Sequence, residues 1–143
     1  MIWTSELRHR LFKELGTIPE IWHIAINQGQ MEHREDAAFS RTNPSVRFPA
    51  LLITPLGEEA IEKDKENTKY RLTVLCKLYI YDSRRANSIA PTDHIEAWDN
   101  ALSIVKKVIA AGANAGLLLD SWQYGILEES LTEWTITLSR TGR

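Results

Sequence analysis

The chain has 143 residues, of which 43% are hydrophobic and 25% charged, with a formal net charge of −2. At that length folding buries enough surface for one core without staples, and the composition excludes a disordered, collagen-like or disulfide-framework protein. The near-neutral charge supplies no general attraction for nucleic acid, so no nucleic-acid binding is expected. One domain over 1–143 is the expectation.

Cys76 is the single cysteine and cannot form an internal disulfide. It sits in an apolar alternation, where a reduced thiol behaves as a small hydrophobe, and that suits a cytoplasmic site of folding and assembly. The first residues mix acidic and basic groups, and no apolar run approaches 18 residues, so neither an export signal nor a membrane span is expected.

Leu7, Leu11 and Leu15 recur every fourth residue, with Thr4 or Ser5 ahead of them to cap the free amides and Gly16 and Pro19 behind. This predicts an amphipathic helix. A short strand is expected over 21–27. Residues 28–45 are polar and read as a long flap or loop, a length that is usually functional or mobile. A second strand is expected over 46–54, with Pro49 inside it marking an edge or a bulge. Residues 55–68 carry Gly57 and a dense run of mixed charge, which predicts a solvated hairpin arm.

The clearest segment follows. Tyr70, Leu72, Val74, Cys76, Leu78 and Ile80 alternate at period two, which predicts a long strand with one buried face. Leu75, Tyr79 and Tyr81 interrupt its polar face, so that face is expected to pack on a helix or another subunit. After a polar turn, Pro91 and Thr92 open a second helix. Its stripe is read as Ile95, Trp98, Leu102, Val105 and Ile109, and its stop as Gly112. Strands are expected over 117–127 and 132–139, the latter with Trp134, Ile136 and Leu138 facing inward. The order α-β-β-β-α-β-β predicts an α+β fold. It would be a mainly antiparallel sheet of about five strands with two helices on one face.

Residues capable of chemistry are scattered. His9, His23, His33 and His94 lack ligand spacing, and the cluster Glu32, His33, Glu35 and Asp36 is a run of consecutive residues that a solvated loop explains. Cys76 faces inward in mid-strand, where burial makes a thiol inert. No Gly-x-Ser-x-Gly, Walker or dinucleotide fingerprint is present, and paired carboxylates such as Glu128 and Glu129 fall in turns. No catalytic residue, cofactor or metal ligand is assigned, and the chain is not expected to be an enzyme.

Five tryptophans are many for this length. Trp98 and Trp134 lie on apolar stripes and are expected in the core. Trp3, near the N-terminus, and Trp122, beside Gln123 and Tyr124, are candidate contact residues, since tryptophan is both core filler and interface anchor. Tyr79, Tyr81, Arg84 and Arg85 complete the candidate interface.

This order of elements resembles the tail-completion or tail-terminator proteins of long-tailed bacteriophages and prophages. The matching features are the N-terminal helix, the run Val46-Arg47-Phe48-Pro49-Ala50-Leu51-Leu52-Ile53, and the strand ending Tyr79-Ile80-Tyr81-Asp82. The helix over 95–111 and the closing Trp134-Thr135-Ile136-Thr137-Leu138 complete the likeness. The resemblance implies a virion protein without catalysis, whose copies form a ring, commonly of six, on the tail tube and face the head connector. The flap over 28–45 and the arm over 55–68 would contact neighbouring copies or the tube. The same sheet and helices would equally serve a small protein- or ligand-binding domain of unrelated function.

Overall fold

A computed structural model describes residues 1–31, 46–82, 91–128 and 130–143. The element order is α1 (Ser5–Leu15), β1 (His23–Ile26), β2 (Ala50–Glu62), β3 (Lys69–Tyr81), α2 (Pro91–Asn114), β4 (Leu118–Glu128) and β5 (Leu131–Gly142). The strands form one mixed sheet in the order β1-β2-β3-β5-β4, antiparallel throughout except for the parallel β1–β2 pair. This is the single α+β domain that the sequence predicts.

Both helices cover one face. Leu7, Leu11 and Leu15 of α1 and Ala101, Ile104, Val105 and Val108 of α2 pack on Leu51, Ile53, Leu72, Val74, Cys76, Leu78, Trp134, Ile136 and Leu138. The strand residues alternate because successive side chains leave opposite sides of the pleat. Helix α1 starts as predicted, with the Thr4 hydroxyl accepting the Leu7 amide at 3.2 Å. On the opposite face a second, smaller cluster joins Met31, Ala50, Leu52, Tyr79 and Leu131.

Three expectations need correction. Pro49 lies just ahead of β2, after a cis Phe48–Pro49 bond, and does not mark an edge: from Ala50 to Ile53 the strand is paired on both sides. The stretch over 55–68 is the exposed outer part of the β2–β3 hairpin, in which β2 continues to Glu62 and stays paired with β3 past a bulge at Pro55/Gly57. Gly57 accommodates that bulge at a φ of 115°, a conformation that disfavours side chains.

The sheet-facing line of α2 is also rotated from the predicted stripe. It runs through Ala97, Ala101, Ile104, Val105, Val108, Ala111 and Gly112, while Ile95 is exposed. Small residues sit where helix and sheet approach most closely, and the large ones flank them. A Cβ at Gly112 would stand 2.6 Å from Leu138 Cδ1, so Gly112 is a contact point and not the stop. The stop is Gly116, at φ 89°. Its amide donates to Ala113 O and the Leu117 amide to Gly112 O, the paired bonds that close a helix C-terminus.

Candidate functional site

The sheet presents two outer sides. On one, β1 covers β2 only from Ala50 to Ile53, and among the described residues no strand lies beside the outer edge of β2 over 55–62. On the other, β4 is the last of the described strands along its whole length. Unpaired strand edges offer rows of amide and carbonyl groups and are ready surfaces for another chain.

Strand β4 is also unusually apolar for an outer strand. Leu118 is 66% exposed, Ile126 62% and Trp122 39%, with Leu119 and Leu127 also open. Ile95 of α2 is also exposed. Trp98, about one helical turn further on, meets Tyr124 edge-on at 5.0 Å and Trp134 at 4.8 Å. Trp122 lies against Trp134 at 5.8 Å with its outer side in solvent. Register places Leu119, Trp122 and Ile126 toward the helix-covered side and Leu118 on the opposite side, so the strand is apolar on both faces; exposed apolar residues along an outer strand mark candidate interaction sites.

The candidate contact residues do not gather at one place. Trp122 stands on β4, and Tyr81 is exposed at the end of β3. Trp3 is partly buried against the main core. Its amide and that of Ile2 donate to Glu58 Oε1, its carbonyl accepts from Arg8 Nη1 at 2.8 Å, and the Arg8 guanidinium lies 5.9 Å from its ring. Trp3 therefore anchors its own subunit's N-terminal segment. Tyr79, expected at an interface, is a core residue instead, because the second cluster covers the sheet face where it points. Arg84, Arg85 and most of the flap over 28–45 lie outside the described residues.

Trp22 was not singled out by the sequence, yet it is 68% exposed, more than any other described tryptophan. It precedes a four-residue strand, too short for alternation to assign faces. Trp134 is in the core as expected, and its indole N–H donates to Thr132 Oγ1 at 3.1 Å.

The histidines stay apart. His9 Nδ1 is 3.3 Å from Ser5 Oγ on α1, His23 stands on β1, and His94 is exposed on α2; the Glu32, His33, Glu35 and Asp36 cluster lies outside the described residues. Among the described residues no group of three or more His, Cys, Asp or Glu side chains is placed to hold a metal. No helix of the described residues is long and apolar enough to cross a membrane.

Burial alone pushes the Cys76 thiol up to about 12. The native protein should therefore react with a thiol reagent at pH 8 at least about a hundredfold more slowly than the unfolded chain, as a stopped-flow comparison would read. Because the shift is upward, the stability this group contributes is intact below its ordinary value of 9.0 and is lost as pH rises toward about 12. The sign is opposite at Glu20, whose carboxyl is held below its usual range by the Lys107 ammonium 2.6 Å away. Its contribution is present above the ordinary carboxylate range and lost as pH falls through the lowered value, and solvent screens it.

A notch of about 510 Å³ opens where β4 begins, between Arg10 of α1 and Arg140 of β5, with Gly116, Leu118 and Leu119 on its walls. Arg10 is held there by donating to Asn114 O at 2.7 Å, at the C-terminal end of α2. Arg140 lies over Gly116 and has no ion-pair partner among the described residues.

No family model matches the chain, and no curated protein matches it. Among solved structures it is similar to a chain of the virion of a native gene transfer agent particle. The two share 9% identity over 93% of this chain and 88% of that one, with a TM-score of 0.44. At that level the functional reading rests on the surfaces described above.

Proposed function

We propose that this chain is a structural subunit of a phage-like virion, a tail-completion or tail-terminator protein whose copies close into a ring on the tail tube and face the head connector. The observation that carries the reading is a sheet whose two outer sides carry no further strand among the described residues, one of them lined by exposed Leu118, Trp122 and Ile126. Two different open edges on one subunit favour a head-to-tail contact, which closes into a ring when the rotation allows. The order of elements, which resembles that family, supports it from the sequence. The role is mechanical: the ring stops tube growth by covering its end and presents a new surface to the next component.

The test is electron microscopy of particles from a strain that makes them, with and without an intact copy of the gene. Loss of the chain should give tails of unregulated length and heads without tails, and the wild-type chain should be found in purified particles by mass spectrometry. Normal, joined particles in its absence would overturn the reading and favour a binding domain of unrelated function.

A further inference from the structure

The outermost strands of the sheet occupy the same rows. Ile26 of β1 lies opposite Ile53, then Cys76, then Ile136, then Trp122 of β4, and Ile24 leads in the same way through Leu51, Leu78 and Trp134 to Tyr124. The rows between and beside them join Ala25 to Gln123 and His23 to Gly125. Directly opposed residues share a face. Ile24, Ile26, Trp122 and Tyr124 therefore stand on the helix-covered side, where Leu51, Ile53, Trp134 and Ile136 are core. One row further, Trp22 precedes His23 and Ile126 follows Gly125, and these two are 68% and 62% exposed.

We infer that β4 receives a second copy of this chain through that copy's β1, with Ile26 beside Trp122 and Ile24 beside Tyr124, so that one sheet runs on from subunit to subunit. This deepens the ring reading above and rests on it. Direction is compatible: β1 runs with β2, β2 opposite to β3, β3 to β5 and β5 to β4. A copy set sideways thus brings its β1 antiparallel to β4 and keeps its helices on the same side. Position is compatible too. Where strands run along a ring's axis, copies at one level must meet without a step along the strands, and the shared rows meet that condition.

Composition separates β1 from the other open edge. Outer strands are commonly guarded by charge or proline, yet neither 22–26 nor 122–126 contains Asp, Glu, Lys, Arg or Pro. The uncovered end of β2 carries Pro55, Glu58, Glu59 and Glu62. From Glu58 on, in the row of Leu72 and Arg140, it also lies beyond the start of β4. It is guarded and out of step, and β1 is neither. On the sheet's other face no atom lies within 4 Å of where a Cβ on Gly125 would stand, which leaves room for the neighbouring copy's His23.

A disulfide tests the register. Ala25→Cys and Gln123→Cys are combined in one chain, where the two sites lie on opposite outer strands, about 19 Å apart, too far for a bond within it. Between copies they would be directly opposed, with Cα atoms about 4.5–5.5 Å apart, which is within bonding range. Mild oxidation should give a ladder of covalent multimers on a non-reducing denaturing gel. Ala25→Cys combined with Leu118→Cys, which lies far along β4 from Gln123, should remain mostly a single chain. By light scattering on a sizing column, wild type should self-associate. Ile26→Glu, which sets a carboxylate beside Trp122 at the contact, should dissociate at concentrations at least about tenfold higher with an unchanged far-ultraviolet spectrum. A wild-type chain that is monomeric at every concentration overturns the interface. So do an Ala25→Cys, Gln123→Cys chain that stays unlinked, equal linking in the Leu118→Cys control, or an Ile26→Glu chain that associates like wild type. If particles still require the chain in that case, the virion role stands and the subunits meet by another surface.

Discussion

Replacing Trp134 by alanine should cost about 3–5 kcal/mol of folding stability, read as a lowered midpoint in chemical denaturation. Trp134 is fully buried in the first half of β5, with Trp98, Trp122 and Tyr124 each within 5.8 Å of its ring and Thr132 accepting its indole proton. Removing the ring leaves a cavity that three other large rings cannot fill by small shifts, and Thr132 Oγ1 loses its donor. For a domain whose whole stability is about 5–15 kcal/mol, that loss takes about a fifth or more. Trp122→Ala should cost much less, because its ring is already open to solvent on one side. A Trp134→Ala protein as stable as wild type would mean that the aromatic cluster is not part of the core.

Leu11→Ala should cost about 2–5 kcal/mol and lower the unfolding transition as one cooperative step. Leu11 is fully buried on α1, between its neighbours Leu7 and Leu15, and the three join α2 and the sheet in a single cluster. An eleven-residue helix is marginal alone, so α1 is held by this packing and cannot persist if it detaches. Detachment would open the part of this common cluster that α1 covers to water. If far-ultraviolet and tryptophan signals separated into two transitions, α1 would be a docked accessory and not part of the domain's cooperative unit.

Where periodicity is long the sequence reads directly into structure. Twelve residues of alternation place β3 and its buried face, and Trp134, Ile136 and Leu138 place β5, because a period of two leaves no other common solution. Helix α2 was legible in extent at its start but not in rotation. Reading large apolar residues as the centre of the stripe fails where alanines and Gly112 allow close approach, and size then marks the flank. Its end was missed for the same reason, since a glycine may serve close contact or a positive φ, and only Gly116 has the second.

The assembly surface was less legible than the fold. Trp122 could be picked out because apolar and polar residues mingle around it, but Tyr79 and Tyr81 look alike in sequence and separate only through the second cluster, which buries one of them. That Glu58, Leu72 and Arg140 share a row across β2, β3 and β5 depends on register, to which the bulge at Pro55/Gly57 contributes. No local pattern encodes it. The open length of β2 depends likewise on where the short β1 stops.

The order in which strands neighbour one another also has a consequence for synthesis. Strand β3 acquires β2 as soon as the hairpin leaves the ribosome, but its other partner, β5, lies some sixty residues further on at Leu131–Gly142. Until β5 has emerged, β4 has no partner among the described strands, so the half of the sheet beyond β3 forms last. The exposed inner face of the β2–β3 hairpin is the cost during that interval, and it is the surface a folding chaperone would meet.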